Sequence, residues 1–292
     1  MGLMKFFRKK QVNIEKSYSS SKKEIKEEIS RKIYNDFFKR ILTDTVYDDS
    51  IRNIFFKNPN LISKSQMMSV LEKPVDEESE TGKVFPPPQR AHTMIGLKRL
   101  ENIQFCLEDV IKNNIEGDVI ETGVWRGGAT IFMRMILKEH NITDKIVYVA
   151  DSFEGLPKPD PTKYPKDEDD IHHTFDFLKI SSEDVQNNFK SYNLLDDQVK
   201  ILKGWFKDTT KNPPFEKLSI LRLDGDMYSS TWEVLENLYD KLSIGGYLII
   251  DDYGAIPNCR EAVNDFRSQR NIHESIKQID WTGIFWKKTQ NV

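Results

Sequence analysis

The chain has 292 residues, 38% hydrophobic and 30% charged, with a formal net charge of −3. That balance suits one large α/β domain plus an arm, and it carries no electrostatic footprint for nucleic acid. Two cysteines, Cys106 and Cys259, make no disulfide framework, and the apolar runs are too short for a transmembrane helix.

The N-terminus, MGLMKFFRKK, lacks the apolar stretch of a signal peptide, and Phe6 and Phe7 stand where a myristoylation motif wants Ser or Thr. A cytoplasmic location is expected. Residues 1–30 are polar and Lys-rich and read as an arm. Ile25, Ile29, Ile33, Phe37 and Ile41 recur every four residues, so a helix is predicted from Ile25 to Leu42. Its apolar stripe suggests a contact between copies, and a homo-oligomer is expected. A second helix is predicted over 61–71. The segment 73–90, acidic and then triply prolyl, is a linker or ordered loop because proline removes hydrogen-bond donors.

The texture changes after residue 90. Thr93 to Lys112 is helical, with Leu97, Leu100, Ile103, Leu107 and Val110 on one side. Strands are predicted at DVIET (118–122), KIVYVAD (145–151), VKILKG (199–204), LSILRLD (218–224) and GYLIIDD (246–252), with helical patterns between them. This alternation predicts a mostly parallel sheet covered by helices. ESIKQI (274–279) and GIFWKK (283–288) predict a closing antiparallel hairpin.

The first strand runs into ETGVWRGG, residues 121–128, and then a helix from Ala129 to Lys138. A Gly-rich turn there brings backbone N–H groups and a helix N-terminus towards a ligand. The spacing is G-x-x-x-G-G after the acid Glu121, not the G-x-G-x-x-G of NAD(P) oxidoreductases, which remain the rival class. An acid in the turn repels a pyrophosphate and suits a cofactor bearing a sulfonium and an ammonium, S-adenosylmethionine (SAM). Asp151, ending the second strand, is the candidate ribose clamp, with a helix cap as the alternative. In GWFKDT (204–209), Trp205 is a candidate adenine-stacking ring, with core packing as the alternative.

The fourth strand ends in Asp224 and Asp226, the fifth in Asp251 and Asp252. Parallel neighbours deliver these ends to one rim, where like charges need protons or a cation. Hard oxygen ligands without Cys or His point to Mg²⁺. Wide separation, or locking to lysines and arginines, would argue against a metal. Residues 158–177, long and Pro-rich, predict a lid, and its His173 is a candidate general base.

The strings AHTMIGLKRLEN (91–102), GDVIETGVWRGGA (117–129), VADSFEGLP (149–157), LLDDQVKILKGWFKDT (194–209), LRLDGDMYSSTWEVLENLYDKLSIGGYLIIDDYGAIPNCREAVNDFR (221–267) and IDWTGIFWK (279–287) resemble the macrocin O-methyltransferase family. FFKRILTDTVYDD (37–49) is similar to its N-terminal lid region. The resemblance implies a Rossmann-like class I methyltransferase with a seven-stranded, mostly parallel sheet, a C-terminal antiparallel strand and an N-terminal helical arm. It divides the chain into an extension (1–34), a helical lid and linker (35–90) and a SAM-dependent domain (91–292). It further implies methyl transfer from SAM to a hydroxyl of a sugar-bearing or related small molecule. Thr93, Met94, Glu121, Thr122, Gly123, Val124, Trp125, Arg126, Gly127, Asp151, Ser152, Phe153 and Glu154 would bind SAM, joined by Trp205 from its own reading. Asp224, or Asp226 in its place, would hold Mg²⁺ with Asp251 and Asp252; the same aspartate or His173 would be the base, and His173 would contact the acceptor. A non-catalytic SAM-binding subunit is the other alternative; the acidic rim speaks against it.

Overall fold

A computed structural model describes residues 26–44, 46 and 90–291. The helix expected over 61–71 and nearly all of the linker lie outside the described residues. Helix α1 covers 26–42. Phe38 and Leu42 bury one side of it, Phe38 packing 6.4 Å from Phe132 and 5.2 Å from Tyr192. The expected boundary between residues 34 and 35 therefore falls inside one continuous helix. The other side leaves Ile29, Ile33 and Phe37 exposed.

The sheet follows the expected chain order. Its strands are β1 (Asp118–Thr122), β2 (Val147–Asp151), β3 (Val199–Lys203), β4 (Leu218–Leu223), β5 (Leu242–Ile250), β6 (Lys277–Gln278) and β7 (Ile284–Lys287). Their spatial order is β3-β2-β1-β4-β5-β7-β6. β1 to β5 pair in parallel, and β7 runs antiparallel to β5 and β6. The order reverses between β1 and β4, so a crevice opens at their C-terminal ends.

Helices α2 (Leu97–Lys112), α3 (Gly128–Glu139), α4 (Ser182–Ser191), α5 (Phe206–Thr209), α6 (Tyr228–Leu238) and α7 (Pro257–Gln269) complete the chain. Strand residues alternate between faces with period two. Val119, Val149, Ile220 and Ile249 meet Leu100, Ile103 and Leu107 of α2 and Phe132 of α3 in one core. Ile120, Ala150, Leu221, Leu223, Leu248 and Ile250 meet Val234 and Leu238 of α6 and Phe266 of α7 in the other. Helices on both faces explain why the strands read as nearly continuous apolar runs. α2 begins at Leu97, not at Thr93, because Gly96 is extended and serves as N-cap. β5 begins at Leu242, ahead of its glycine pair, with the pairing to β4 interrupted between Leu218 and Ile220.

The candidate lid folds into three 3₁₀ turns, Pro165–Asp167, His172–Thr174 and Asp176–Leu178. No described helix is long and apolar enough to cross a membrane.

Candidate active site

At the switch point, β1 ends against β4 so closely that only glycine fits. A Cβ on Gly123 would lie 1.7 Å from the Asp224 carbonyl oxygen, and Gly123 has φ +86. The turn 123–127 is stitched to β2 through Asp151, whose Oδ2 accepts the Val124 N–H (2.8 Å) and whose Oδ1 accepts the Phe153 N–H (2.8 Å). Burial raises the Asp151 pKa, and these N–H bonds pull against that rise. Trp125 adopts φ +47, its indole N–H donates to the Phe177 carbonyl (2.9 Å), and Arg126 lies 4.2 Å over its ring. The cofactor turn is thus tied to the end of the lid.

A cavity of about 440 Å³ opens here, within the range of small-ligand sites. Met94, Gly123, Trp125, Asp151, Ser152, Trp205 and Asp224 line it. So do Tyr164, Phe206, Asp226 and Glu233, which sequence reasoning did not select for it. Thr93, Glu121, Thr122, Val124, Arg126, Gly127, Phe153 and Glu154 are not on its wall. Most support it from behind: the Thr93 hydroxyl accepts the Ile95 N–H (3.2 Å), Thr122 donates to the Arg222 carbonyl (3.3 Å), and Arg126 donates to the Ala91 carbonyl (2.8 Å). Glu154 is exposed.

Behind the cavity lies a charged layer. Glu121 and Arg222 are direct partners in the β1–β4 register. Asp224 and Asp251 follow two residues after Arg222 and its β5 partner Ile249, so period two places all four on one face. Arg222, fully buried, ion-pairs with Glu121, with Asp224 (2.8 Å) and with Asp251 Oδ1. Arg99 of α2 ion-pairs with Asp251 Oδ2 and with Asp280 (2.9 Å). Burial opposes charge on both arginines, but the carboxylates outweigh it and hold the guanidiniums charged. Neither arginine was singled out from the sequence. The signal was there for Arg222: one cation inside a strand buried on both faces needs a buried anionic partner.

Asp224, Asp251 and Asp252 offer oxygens within 4.8 Å of one another. An octahedral Mg²⁺ at about 2.1 Å from each ligand would need pairs about 3–4 Å apart, so the ligand atoms would close in by up to about 2 Å. Two of these aspartates are locked to arginines, the condition set above as adverse. The donor set still fits a dication for three reasons. Asp252 has no basic partner among the ion pairs of the described residues, and its Oδ2 accepts the Asp226 N–H (3.3 Å). Asp224 commits only Oδ2. Despite Arg222, burial and then Asp251 push the Asp224 pKa up to about 7, and burial with Asp226 and Asp224 pushes Asp252 well above its ordinary value. Glu121 rises to about 8, chiefly by burial, and its Oε2 is buried without a partner. The arginines leave an anionic excess.

Of the lid histidines, it is His172 that is built in. Its Nδ1 pairs with Asp170 (2.8 Å), and that bond raises its pKa, helped by the field of Asp226. His173, the expected base, is half-buried, and its Nδ1 has no partner. Asp167, fully buried, accepts the N–H groups of Tyr228 (2.8 Å) and Ser229 (2.9 Å) at the start of α6. Within KDEDD nothing distinguishes it from a solvated charge.

Residues 31–288 match the family described as Macrocin-O-methyltransferase (TylF). The chain is 44% identical over 259 residues to demethyldecarbamoylnovobiocin O-methyltransferase of Streptomyces niveus, covering 88% of this chain and 94% of that protein. It is 44% identical over 260 residues to mycinamicin III 3''-O-methyltransferase of Micromonospora griseorubida, covering 88% and 96%. Among solved structures it is similar to the O-methyltransferase NovP, with a TM-score of 0.76, 44% identity and coverage of 89% of this chain and 99% of that one.

Proposed function

The chain belongs to the macrocin O-methyltransferase family and is a SAM-dependent O-methyltransferase; we propose that its acceptor is a sugar hydroxyl of a glycosylated small molecule and that Asp224, Asp251 and Asp252 hold a Mg²⁺ for the reaction. The observation that carries the metal is the convergence of three carboxylates whose pKa pattern persists beside two buried arginines. The acceptor class comes from the relatives, of which one acts on a mycinamicin at a 3'' hydroxyl.

SAM fits the cavity at β1 and β2. Trp125, Asp151 and Ser152 contribute wall, Trp205 offers a flat aromatic face, and the unpartnered Glu121 oxygen supplies negative potential for a cationic cofactor. This electrostatics, with the family, replaces the NAD(P) reading. A bound Mg²⁺ supplies Lewis-acid polarisation of the acceptor hydroxyl and lowers its pKa. Asp224 borders the SAM cavity and the metal cluster at once, and its Oδ1, the oxygen Arg222 leaves free, can serve as metal ligand or as acceptor of the hydroxyl proton. His173 and His172 both belong to the candidate lid, His172 held by Asp170 and His173 with its Nδ1 unpartnered, and either can contact the acceptor. Oxygen attack in line on the SAM methyl leaves S-adenosylhomocysteine.

Labelled SAM incubated with a panel of glycosides and sugar nucleotides, with Mg²⁺ and then with EDTA, tests the reading. Label transfer that stops in EDTA and returns with Mg²⁺ supports it. Transfer undiminished by chelation removes the metal, and transfer to no glycoside removes the acceptor class. A homo-oligomer is part of the same reading, resting on the exposed Ile29, Ile33 and Phe37 stripe; a monomeric mass by light scattering refutes it.

A further inference from the structure

We propose that Arg99 is a positioning residue for the metal ligand Asp251, fixing through its two-way grip which lone pairs that carboxylate can turn towards a dication. The inference rests on the Mg²⁺ reading above and concerns a residue outside the ligand set.

Each Asp251 oxygen already accepts from a guanidinium: Oδ1 from Arg222, Oδ2 from Arg99. An ionised carboxylate offers about four lone-pair sites, so roughly one per oxygen remains for a metal. Rotating the carboxylate would break both ion pairs. Its plane is therefore set by the two arginines together, and Arg222 alone would leave one oxygen free to swing.

Arg99 is itself held. Its Nε donates to Asp280 Oδ2 (2.9 Å), and Asp280 Oδ1 accepts the N–H groups of Thr282 (3.0 Å) and Gly283 (2.6 Å). The main chain of Gly283 packs against the Arg99 stem, where an added Cβ would lie 3.2 Å from Cδ. The residue just after Arg99 in α2, Leu100, is fully buried in the core. Thr282 closes the loop by donating from its hydroxyl to the Asp251 carbonyl (2.8 Å). A rigid path thus runs from the helical core and the 280–283 turn to one carboxylate of the cluster. Asp252, by contrast, is met by the Asp226 N–H and side chain and by no guanidinium among the ion pairs of the described residues.

Charge alone does not explain this arrangement. Asp251 already has Arg222, and a second guanidinium beside a cation site repels a dication. As geometry, the same group favours metal binding, because outer partners that fix a ligand's orientation raise affinity. The two roles predict different outcomes when charge is kept and the fork is lost.

The test uses the full-length protein and Mg²⁺ alone as titrant, followed by calorimetry, with SAM affinity and thermal melting measured in parallel. Arg99→Lys keeps the charge but cannot donate as a rigid fork in two directions. Asp280→Asn keeps an oxygen for Thr282 and Gly283 and turns an amide donor against the Arg99 N–H. Both variants are expected to weaken Mg²⁺ binding about 10–100-fold, with SAM affinity within about twofold of wild type, since Arg99 and Asp280 are off the cavity wall. Wild-type or tighter Mg²⁺ binding in folded variants overturns the proposal and leaves the metal site standing. If Arg99→Lys does not fold, Asp280→Asn decides. A wild-type protein that takes up no Mg²⁺ overturns the metal reading, and this inference with it, before any variant is made.

Discussion

Truncating Asp167 to alanine measures how firmly the lid is held over the cleft. Its carboxylate is fully buried and accepts two backbone N–H groups, at 2.8 and 2.9 Å, from Tyr228 and Ser229. The α6 N-cap, Met227, has no side-chain cap of its own, so a residue sixty positions upstream does that work. Hydrogen bonds to a charged group contribute about 1.5–3 kcal/mol each, whereas loss of a helix cap costs about 0.5–2 kcal/mol because water recovers part of it. An overall cost of about 2–3 kcal/mol follows, which raises the open population of the lid about 30–150-fold at 1.4 kcal/mol per decade. Hydrogen exchange read by mass spectrometry reports this directly. Amides such as Asp170 and Thr174, bonded within the lid, should exchange faster in Asp167→Ala by that factor, while the core of α2 stays protected. Unchanged lid exchange, or acceleration confined to the first turn of α6, would reduce Asp167 to a helix cap and refute the latch.

Three other outcomes are expected. Glu121 (about 8) and Asp224 (about 7) hold protons in the folded, ligand-free protein that the unfolded chain releases near pH 4. Their contribution to stability is complete below that value and is lost as pH rises through 7 and 8. Melts in EDTA should therefore show a lower Tm at pH 8 than at pH 6, with Mg²⁺ restoring more at pH 8; a flat or opposite profile contradicts the assignment. Glu121→Gln, of equal volume, removes negative potential from just behind the cavity and should weaken SAM binding about tenfold, about 1.4 kcal/mol; calorimetric affinity equal to wild type removes Glu121 from the site. Gly123→Ala combines a positive φ with a Cβ driven onto the Asp224 carbonyl. It should cost about 3 kcal/mol or more, seen as a fall in Tm or loss of soluble protein, and an unperturbed melt would show that the strand ends can separate.

Most of the sheet was legible because its signal is local. Five apolar runs ended by Asp or Gly gave five parallel strands within a few residues, and the hairpin was read from two runs with no helix between them. The aspartates were legible as a set because parallel strands share a rim. What escaped was pairing across long sequence distances. Arg99 follows Lys98 on an amphipathic helix and reads as solvated; its partners lie 152 and 181 residues away. Asp167 hides in an acidic run for the same reason. His172 and His173 adjoin and read alike in the sequence; the structure pairs His172 with Asp170, two residues before it. The fifth strand was read from Gly246, but it starts at Leu242 and passes through both Gly245 and Gly246.

The arginines change what the acidic rim means. Among the described residues, the ion pairs of Glu121, Asp224, Asp226, Asp251, Asp252 and Asp280 are with Arg99 and Arg222, so four negative charges are left over, while His172 is matched by its own Asp170. Buried like charges do not all ionise unaided. In the empty protein protons fill the deficit, which is why Glu121 and Asp224 titrate near neutrality. A dication together with SAM, whose sulfonium and ammonium outnumber its carboxylate, would meet three of the four without them. Had the arginines matched the carboxylates one for one, the layer would be a closed structural network with no demand for a ligand. The shortfall makes the rim select cations, and the two arginines ensure that the carboxylates left to meet them are already aimed.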